Sequence, residues 1–378
     1  MAAPESRDAP AATSTEPAPR RILVLCPHPE NVAPGQRLKY EQYFTYLRDQ
    51  GYDLTVSPFM SPAFHSIVYQ KGRFLQKVAY TLAGYLRRCY DLLRLPWYDG
   101  AYVFLWFTPF GTPFFEMLMR LMARRYLYDI DDMVFLGHKS KANPMIAFLK
   151  GRSKMIYLMK HARHVITCTP ALDEFVRRHN PRTTDISSTI NTQTYQPVNS
   201  YSNDRPLVLG WSGSHSTSRY LHLLQGVLQK LGERHRFRVR VIGDPEFTME
   251  GVETEALAWQ ESTEVRDLQE IDIGLYPLPD EPWVYGKSGL KALQYMALGI
   301  PTVAAAIGAN FRVIEDGRSG FLVKNNEEWL ERLEQLLENP DLRRSIGTRA
   351  RERVQNFYSV KANEPVYLDV MNDVFRRN

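Results

Sequence analysis

The chain has 378 residues, with 47 Lys plus Arg, 42 Asp plus Glu, three Cys and 24 Pro. At roughly 100–200 residues per domain this length calls for two domains, and 44% apolar with 24% charged residues excludes wholesale disorder. Cys26, Cys89 and Cys168 are odd in number and far apart, which argues against a disulfide framework or a thiolate zinc site and fits a reducing compartment. The net charge of +5 divides unevenly: residues 1–205 carry 26 basic and 17 acidic side chains, residues 206–378 carry 21 and 25. Two domains that meet different partners are expected.

Residues 1–20 are rich in Ala, Pro, Ser and Thr and read as a flexible leader, since a signal peptide needs a continuous apolar core. The largely apolar, uncharged run 100–115 is too short to span a membrane and contains Pro109, Gly111 and Pro113. A cytoplasmic protein follows, with the inner face of the plasma membrane as a peripheral location. Residues 21–26 form a short apolar run before a Pro-rich loop and read as a first buried strand. Helical spacing over 40–50 stops at Gly51, and strands are expected over 53–57, 101–107, 126–130 and 165–168. The turn-rich segment 191–206 has the composition of a linker. Alternation then restarts, with strands over 207–211, 238–242, 271–276 and 302–305 and helices over 218–233 and 290–298. Such alternation predicts an α/β protein of two doubly wound parallel sheets. Their strand ends should meet at an interdomain cleft. The expected division is a first domain over 21–190, a second over 207–358 and a final helix over 359–378 that crosses back to the first.

The most informative local chemistry is Tyr285-Gly-Lys-Ser-Gly-Leu-Lys291, a glycine-bracketed loop that opens a helix. Helix N-termini present unpaired N–H groups and partial positive charge, which suits a phosphate. Gly286 allows close approach, Ser288 adds a hydroxyl, and Lys287 and Lys291 place two cations one helical turn apart. The spacing is not that of a Walker loop. The alternative reading is an ordinary helix start with solvated lysines.

The stretch Leu293-Gln-Tyr-Met-Ala297, Gly299 and Pro301, followed by Asp316-Gly317, resembles the donor-binding half of glycosyltransferase family 4, enzymes of the GT-B fold. The segments 207–214 and 271–278 resemble the opening of that domain and the stretch ahead of its donor helix. The resemblance implies two Rossmann-like domains facing a cleft. It also implies transfer of a sugar from a UDP- or GDP-linked donor to a glycan or lipid-linked acceptor in surface polysaccharide or glycoconjugate synthesis. Retention of configuration, no metal and no separate cofactor are part of that implication. The donor diphosphate is expected on Ser212, Gly213, Ser214, Lys287, Ser288 and Lys291, the donor sugar near Asn310, and the nucleobase near Gly243-Asp244. In the first domain Asp131, Asp132 and His28 are the expected catalytic groups, with Arg37 also lining the cleft. Trp211 and Trp283 are expected to pack, and His215 faces the cleft from the second domain.

The chain also departs from the family pattern. Many members carry two glutamates, one near the donor sugar and one on the ribose, at positions matched here by Gly286 and Gln294. Gln294 retains hydrogen-bonding capacity; Gly286 offers no side chain. A GT-B sugar-nucleotide epimerase and a non-catalytic nucleotide-binding homologue are therefore the alternative readings. The Asp129-Ile-Asp131 spacing also admits a metal-dependent transferase or a haloacid-dehalogenase phosphatase, although the better phosphate signals lie in the other half. Between residues 64 and 164 there are 16 Lys or Arg against six acidic residues, interleaved with aromatics. This segment is a candidate for an anionic membrane surface, the alternative being helices that pack their apolar faces on the sheet with their cations in water. No nucleic-acid recognition module is visible.

Overall fold

The computed structural model describes residues 18–376 apart from 69, 71, 134–151, 199–200 and 203. Most of the expected leader, part of the basic segment and part of the linker lie outside the described residues.

The first sheet contains β1 (Arg20–Cys26), β2 (Tyr52–Pro58), β3 (Gly100–Phe104), β4 (Tyr126–Asp129), β5 (His164–Thr167) and β6 (Thr183–Asp185). The second contains β7 (Leu207–Ser212), β8 (Phe237–Ile242), β9 (Thr254–Leu257), β10 (Ile273–Tyr276), β11 (Thr302–Ala305) and β12 (Phe321–Val323). Their orders are β2-β1-β3-β4-β5-β6 and β12-β11-β10-β7-β8-β9, and every pairing is parallel. Helices cover both faces, so central strands are buried on both sides and read as unbroken apolar runs: residues 22–26 are all buried. Each order reverses direction once, between β1 and β3 in the first sheet and between β7 and β10 in the second. Ligands in such sheets bind beyond the strand ends at these switch points.

Local structure departs from expectation in three places. The helix read over 218–233 is interrupted: a turn His215–Ser218, a 3-10 segment Arg219–Leu224 and a helix Gln225–Gly232. The strand read over 101–107 ends at Phe104, because Leu105 takes a left-handed conformation with φ of 60°. The edge strands β6 and β9, Thr-Thr-Asp and Thr-Glu-Ala-Leu, carry little apolar pattern and are found only by their pairing.

The last helix, Val360–Phe375, packs on the first domain: Val360, Tyr367, Val370, Met371, Val374 and Phe375 join one cluster with Ile22, Val24 and Tyr102. The chain thus passes between domains twice. The crossings touch, with Ile190 N–H donating to Tyr358 O at 2.8 Å and Val360 N–H donating to Ile190 O at 3.1 Å.

Candidate active site in the interdomain cleft

The loops beyond β1, β4, β7 and β10 enclose a cleft cavity of about 600 Å³, with the N-terminus of the helix Leu290–Ala297 at its wall. From the first domain come His28, Gly35, His65, Asp131 and Asp132. The second contributes Ser212, Gly213, Ser214, Lys287, Ser288, Lys291 and Gln294. Ten of the twelve expected site residues therefore meet in one cavity.

In the first domain, Gln36 fixes the loop after β1 from both sides. It accepts from His28 N–H at 2.9 Å and donates to His28 O at 3.0 Å. The His28 imidazole meets His65 edge to face at 5.3 Å. Burial, and then the neighbouring His65, lower its pKa to about 4, so it is neutral at physiological pH. Gly35 allows a close approach: a Cβ there would stand 2.7 Å from Asp131 Oδ2 and push that carboxyl aside. Burial, followed by repulsion from Asp132 and Asp129, raises the Asp131 carboxyl to about 7. Asp129 is engaged elsewhere. It is fully buried, accepts from the Tyr102 hydroxyl and lies 3.7 Å from Lys39 Nζ. The Asp-x-Asp spacing thus separates an interior carboxylate from a cleft carboxylate.

In the second domain, Gly289 precedes the helix Leu290–Ala297 in a left-handed conformation, φ 77°, and no side chain caps the helix. Its orphan N–H groups face the cavity beside two lysines in different states. The Lys291 ammonium lies 5.0 Å from the centre of the Trp211 ring and 5.5 Å from that of Tyr276. Burial, and then repulsion from Lys287, lower its pKa to about 8. Lys287 reaches across the cleft to Asp132 Oδ2 at 2.6 Å. Burial opposes its charge, but Asp132 outweighs that and raises its pKa.

Several expected contacts are redirected. Asn310 is 1% exposed and donates to Ala305 O at 2.9 Å, so it is not brought to the cavity and has no access to a donor sugar there. Gly286 also lies outside the cavity lining. In the Ser212–Ser214 turn, Ser212 N–H donates to the Tyr295 hydroxyl and Gly213 N–H to Ile242 O, so these two N–H groups are not free for a diphosphate. Ser214 remains exposed at the rim. Of the pair expected near the nucleobase, Gly243 lines the cavity, and Asp244 is held by His215 Nδ1 at 2.9 Å and by the Ser218 hydroxyl at 2.5 Å. Trp211 packs as expected, at 1% exposure.

The structure also accounts for the two absent glutamates. A Cβ on Gly286 would stand 2.9 Å from both Asp132 Oδ1 and Met133 N. The first domain occupies that space and brings a carboxylate of its own. Beside Gln294, Glu264 supplies a second carboxylate: its Oε1 accepts from Gln294 Nε2 at 3.1 Å and from Trp259 Nε1 at 3.2 Å. Arg37 of the first domain closes on Glu264 Oε2 at 2.5 Å. No motif marks Glu264, Trp259, Tyr276 or His65 in the sequence; only the folding of distant loops onto one cavity reveals them.

Residues 199–353 match the family described as glycosyl transferases group 1. The trehalose synthase of Pyrococcus horikoshii is 33% identical over 86 residues, 23% of this chain and 21% of that protein. The D-inositol 3-phosphate glycosyltransferase of Corynebacterium aurimucosum is 37% identical over 89 residues, 22% and 21% of the two chains. The chain thus spans about a fifth of the length of these curated relatives. Among solved structures, sucrose-phosphate synthase from Thermosynechococcus elongatus superimposes with a TM-score of 0.68 at 15% identity, covering 93% of this chain and 98% of the other. HepE from Anabaena in complex with UDP-glucose gives 0.65 at 16% identity, covering 94% and 100%. The fold is therefore GT-B, and residues 199–353 are similar to the glycosyl transferases of group 1.

Proposed function

We propose that the chain transfers a sugar from a UDP-linked donor to a glycan or lipid-linked acceptor, without a metal and with retention of configuration, at the cytoplasmic face of the plasma membrane during surface polysaccharide or glycoconjugate synthesis. The observation that carries this reading is the convergence of Lys287, Lys291 and an uncapped helix N-terminus on one cavity, opposite Asp131, Asp132 and His28. Breaking a sugar–phosphate bond builds negative charge on the leaving diphosphate. Two lysines and oriented N–H groups favour that charge most when water is excluded. Asp131, once ionised, would orient an acceptor hydroxyl or stabilise positive charge on the sugar. Glu264 and Gln294 offer an acceptor and a donor suited to ribose hydroxyls. UDP is preferred over GDP because HepE, of the same fold, is described with UDP and with UDP-glucose. A metal-free reaction is supported by the lysines, which supply the positive charge, and by the commitment of Asp129 to Lys39 and Tyr102.

The deciding experiment is turnover of a panel of UDP- and GDP-sugars with and without candidate acceptors, in the presence and absence of EDTA. Acceptor-dependent UDP release unaffected by EDTA is expected, and NMR of the product reports the anomeric outcome. Interconversion of the donor sugar without acceptor would make the chain an epimerase. Nucleotide binding with no turnover of any donor would make it a non-catalytic homologue.

A further inference from the structure

We propose that the first domain docks on an anionic bilayer through an outward apolar face built by the helices Phe74–Arg94 and Phe114–Met122, which sets the acceptor end of the cleft beside the lipid surface. This rests on the reading of a lipid-linked acceptor.

The helix Phe74–Arg94 is patterned the wrong way round for a soluble protein. Leu75, Val78, Leu82, Leu86 and Leu93 follow one another at helical spacing, which gathers them on one face. That face is the one turned away from the protein, with Leu75 81%, Leu82 61%, Leu86 71% and Leu93 70% exposed. The inward face instead buries Gly84, Arg88, Asp91 and Leu92. It is fastened by specific contacts: Arg88 donates to Cys26 O, Ser57 O and Phe107 O, and Gly84 admits the Phe59 ring, whose atoms lie within 3 Å of where a Cβ would be. A helix fixed by a buried arginine while its leucines point outward is not using those leucines for folding.

The second helix extends the face. Phe114, Met117 and Leu121 recur at helical spacing and are exposed, Leu121 by 77%. Tyr85 joins the two helices, its ring 5.3 Å from Phe115 and its hydroxyl donating to Phe110 O at 2.8 Å. Contiguous apolar surface of this kind marks an interaction site.

Charge selects the occupant. Around these helices Arg73, Arg87, Arg120 and Arg124 are exposed. The local carboxylates are turned inward: Asp91 is buried against Arg88 and Arg94, and Glu116 is buried 3.5 Å from Lys154. An apolar centre rimmed by cations matches anionic headgroups over acyl chains. A second copy docked on the same face would set like charges against each other. The face is also coupled to the cleft. Phe64 stacks on Tyr80 of the first helix at 5.6 Å, and His65, the next residue, lines the cavity.

Cys89 lies on this face and is exposed, whereas Cys26 and Cys168 are buried, so a polarity-sensitive fluorophore can be attached there selectively. The full chain is floated with vesicles of phosphatidylcholine containing phosphatidylglycerol and with vesicles of phosphatidylcholine alone. Binding to the anionic vesicles with a blue shift of the Cys89 label is expected, weakened by salt. The outward double variant Leu82→Gln/Leu86→Gln should bind about tenfold or more weakly, with unchanged circular dichroism and an unchanged thermal shift on UDP. Leu223→Gln, on the second domain, should bind as the parent does. The proposal is overturned by no binding at low salt, by equal binding of the double variant, or by a lipid-free dimer that the double variant dissolves. Vesicle binding without donor turnover would remove the proposed activity and leave the docking face standing; turnover without vesicle binding would do the reverse.

Discussion

Lys291 is the residue through which donor binding should acquire a pH dependence. Its ammonium, enclosed by Trp211 and Tyr276, has a pKa lowered to about 8. The side chain is charged below that pH and neutral above it. Affinity for UDP should accordingly be flat at lower pH and fall as pH rises through about 8, by up to about tenfold per unit. Calorimetric titration of UDP across that range checks this: Lys291→Ala should bind weakly throughout and show no step, and a step that survives in the variant would assign it to another group. Asp131 sets the opposite limb. Because burial and its acidic neighbours raise it to about 7, it is protonated below that pH. If its carboxylate does the work, kcat/KM should rise through about 7 and fall beyond about 8. The same shift predicts a stability cost. A carboxyl whose folded pKa is raised disfavours the ionised native state, so the protein loses stability as pH climbs from the unfolded value near 4 to about 7. Asp131→Asn should therefore abolish the rising limb of the rate profile yet melt higher than the parent at pH 8, with the two melting curves converging in acid. The lysines were legible in the sequence because a Gly-Lys-Ser-Gly loop before an apolar helix has a local signature. Their electrostatic states were not, since Trp211 and Asp132 reach them only through the fold.

At the scale of elements, the missing glutamate at Gly286 is a consequence of how the segment Pro282–Gly286 meets the end of β4. A Cβ there collides with Asp132 and with the backbone of Met133, which cannot move cheaply. Restoring the family residue as Gly286→Glu should thus reduce activity, destabilise the protein by roughly 1–3 kcal/mol and break the Lys287–Asp132 pair. Combining it with Asp132→Gly frees space and returns one carboxylate to Lys287, so the double variant should recover part of the lost melting temperature. A double variant no better than the single one would show that Met133 alone forbids the side chain. The carboxylate that fills this space is not legible in the sequence, because Asp132 sits 155 positions from its lysine. Legibility across the elements follows burial. Central strands such as β1 and β7 announce themselves as apolar runs, since both faces are covered. The polar edge strands β6 and β9 satisfy only one neighbour and carry no such run. The helix Phe74–Arg94 has clear amphipathic spacing, but spacing alone does not tell which side of a stripe faces the protein. Arg88 and Gly84 settle that question only once their partners are in place.

Over the whole molecule, two domains are joined by two touching crossings near Ile190 and Ser359, so they share a single hinge. The final helix is not an appendage, since its apolar side chains complete the core of the first domain. Among the described residues, side-chain pairs also bridge the cleft: Arg37 on Glu264, Asp132 on Lys287, Asp185 on Arg312, and Ser188 on Ser288. Two of these use groups that a nucleotide diphosphate would engage, so donor must compete with the opposite domain for Lys287 and Glu264. The other two involve no proposed donor carboxylate or lysine. Arg37 and Glu264 are 17% and 5% exposed, and Arg312 and Asp185 27% and 20%. Removing one partner of such a pair leaves the other charge poorly solvated and favours separation. The double variant Arg37→Ala/Asp185→Ala should accordingly populate an open form, with a larger radius of gyration by small-angle scattering than the parent. A donor that binds the closed form better should draw that radius back, because a ligand shifts an equilibrium by its differential affinity for the two states. Asp132→Ala makes the complementary case. It releases Lys287, so UDP should bind about three- to tenfold more tightly, while transfer slows for want of the carboxylate. An unchanged radius in the double variant, together with unchanged UDP affinity in Asp132→Ala, would mean that hinge packing alone sets the domain angle and that the cross-cleft pairs are passengers of it.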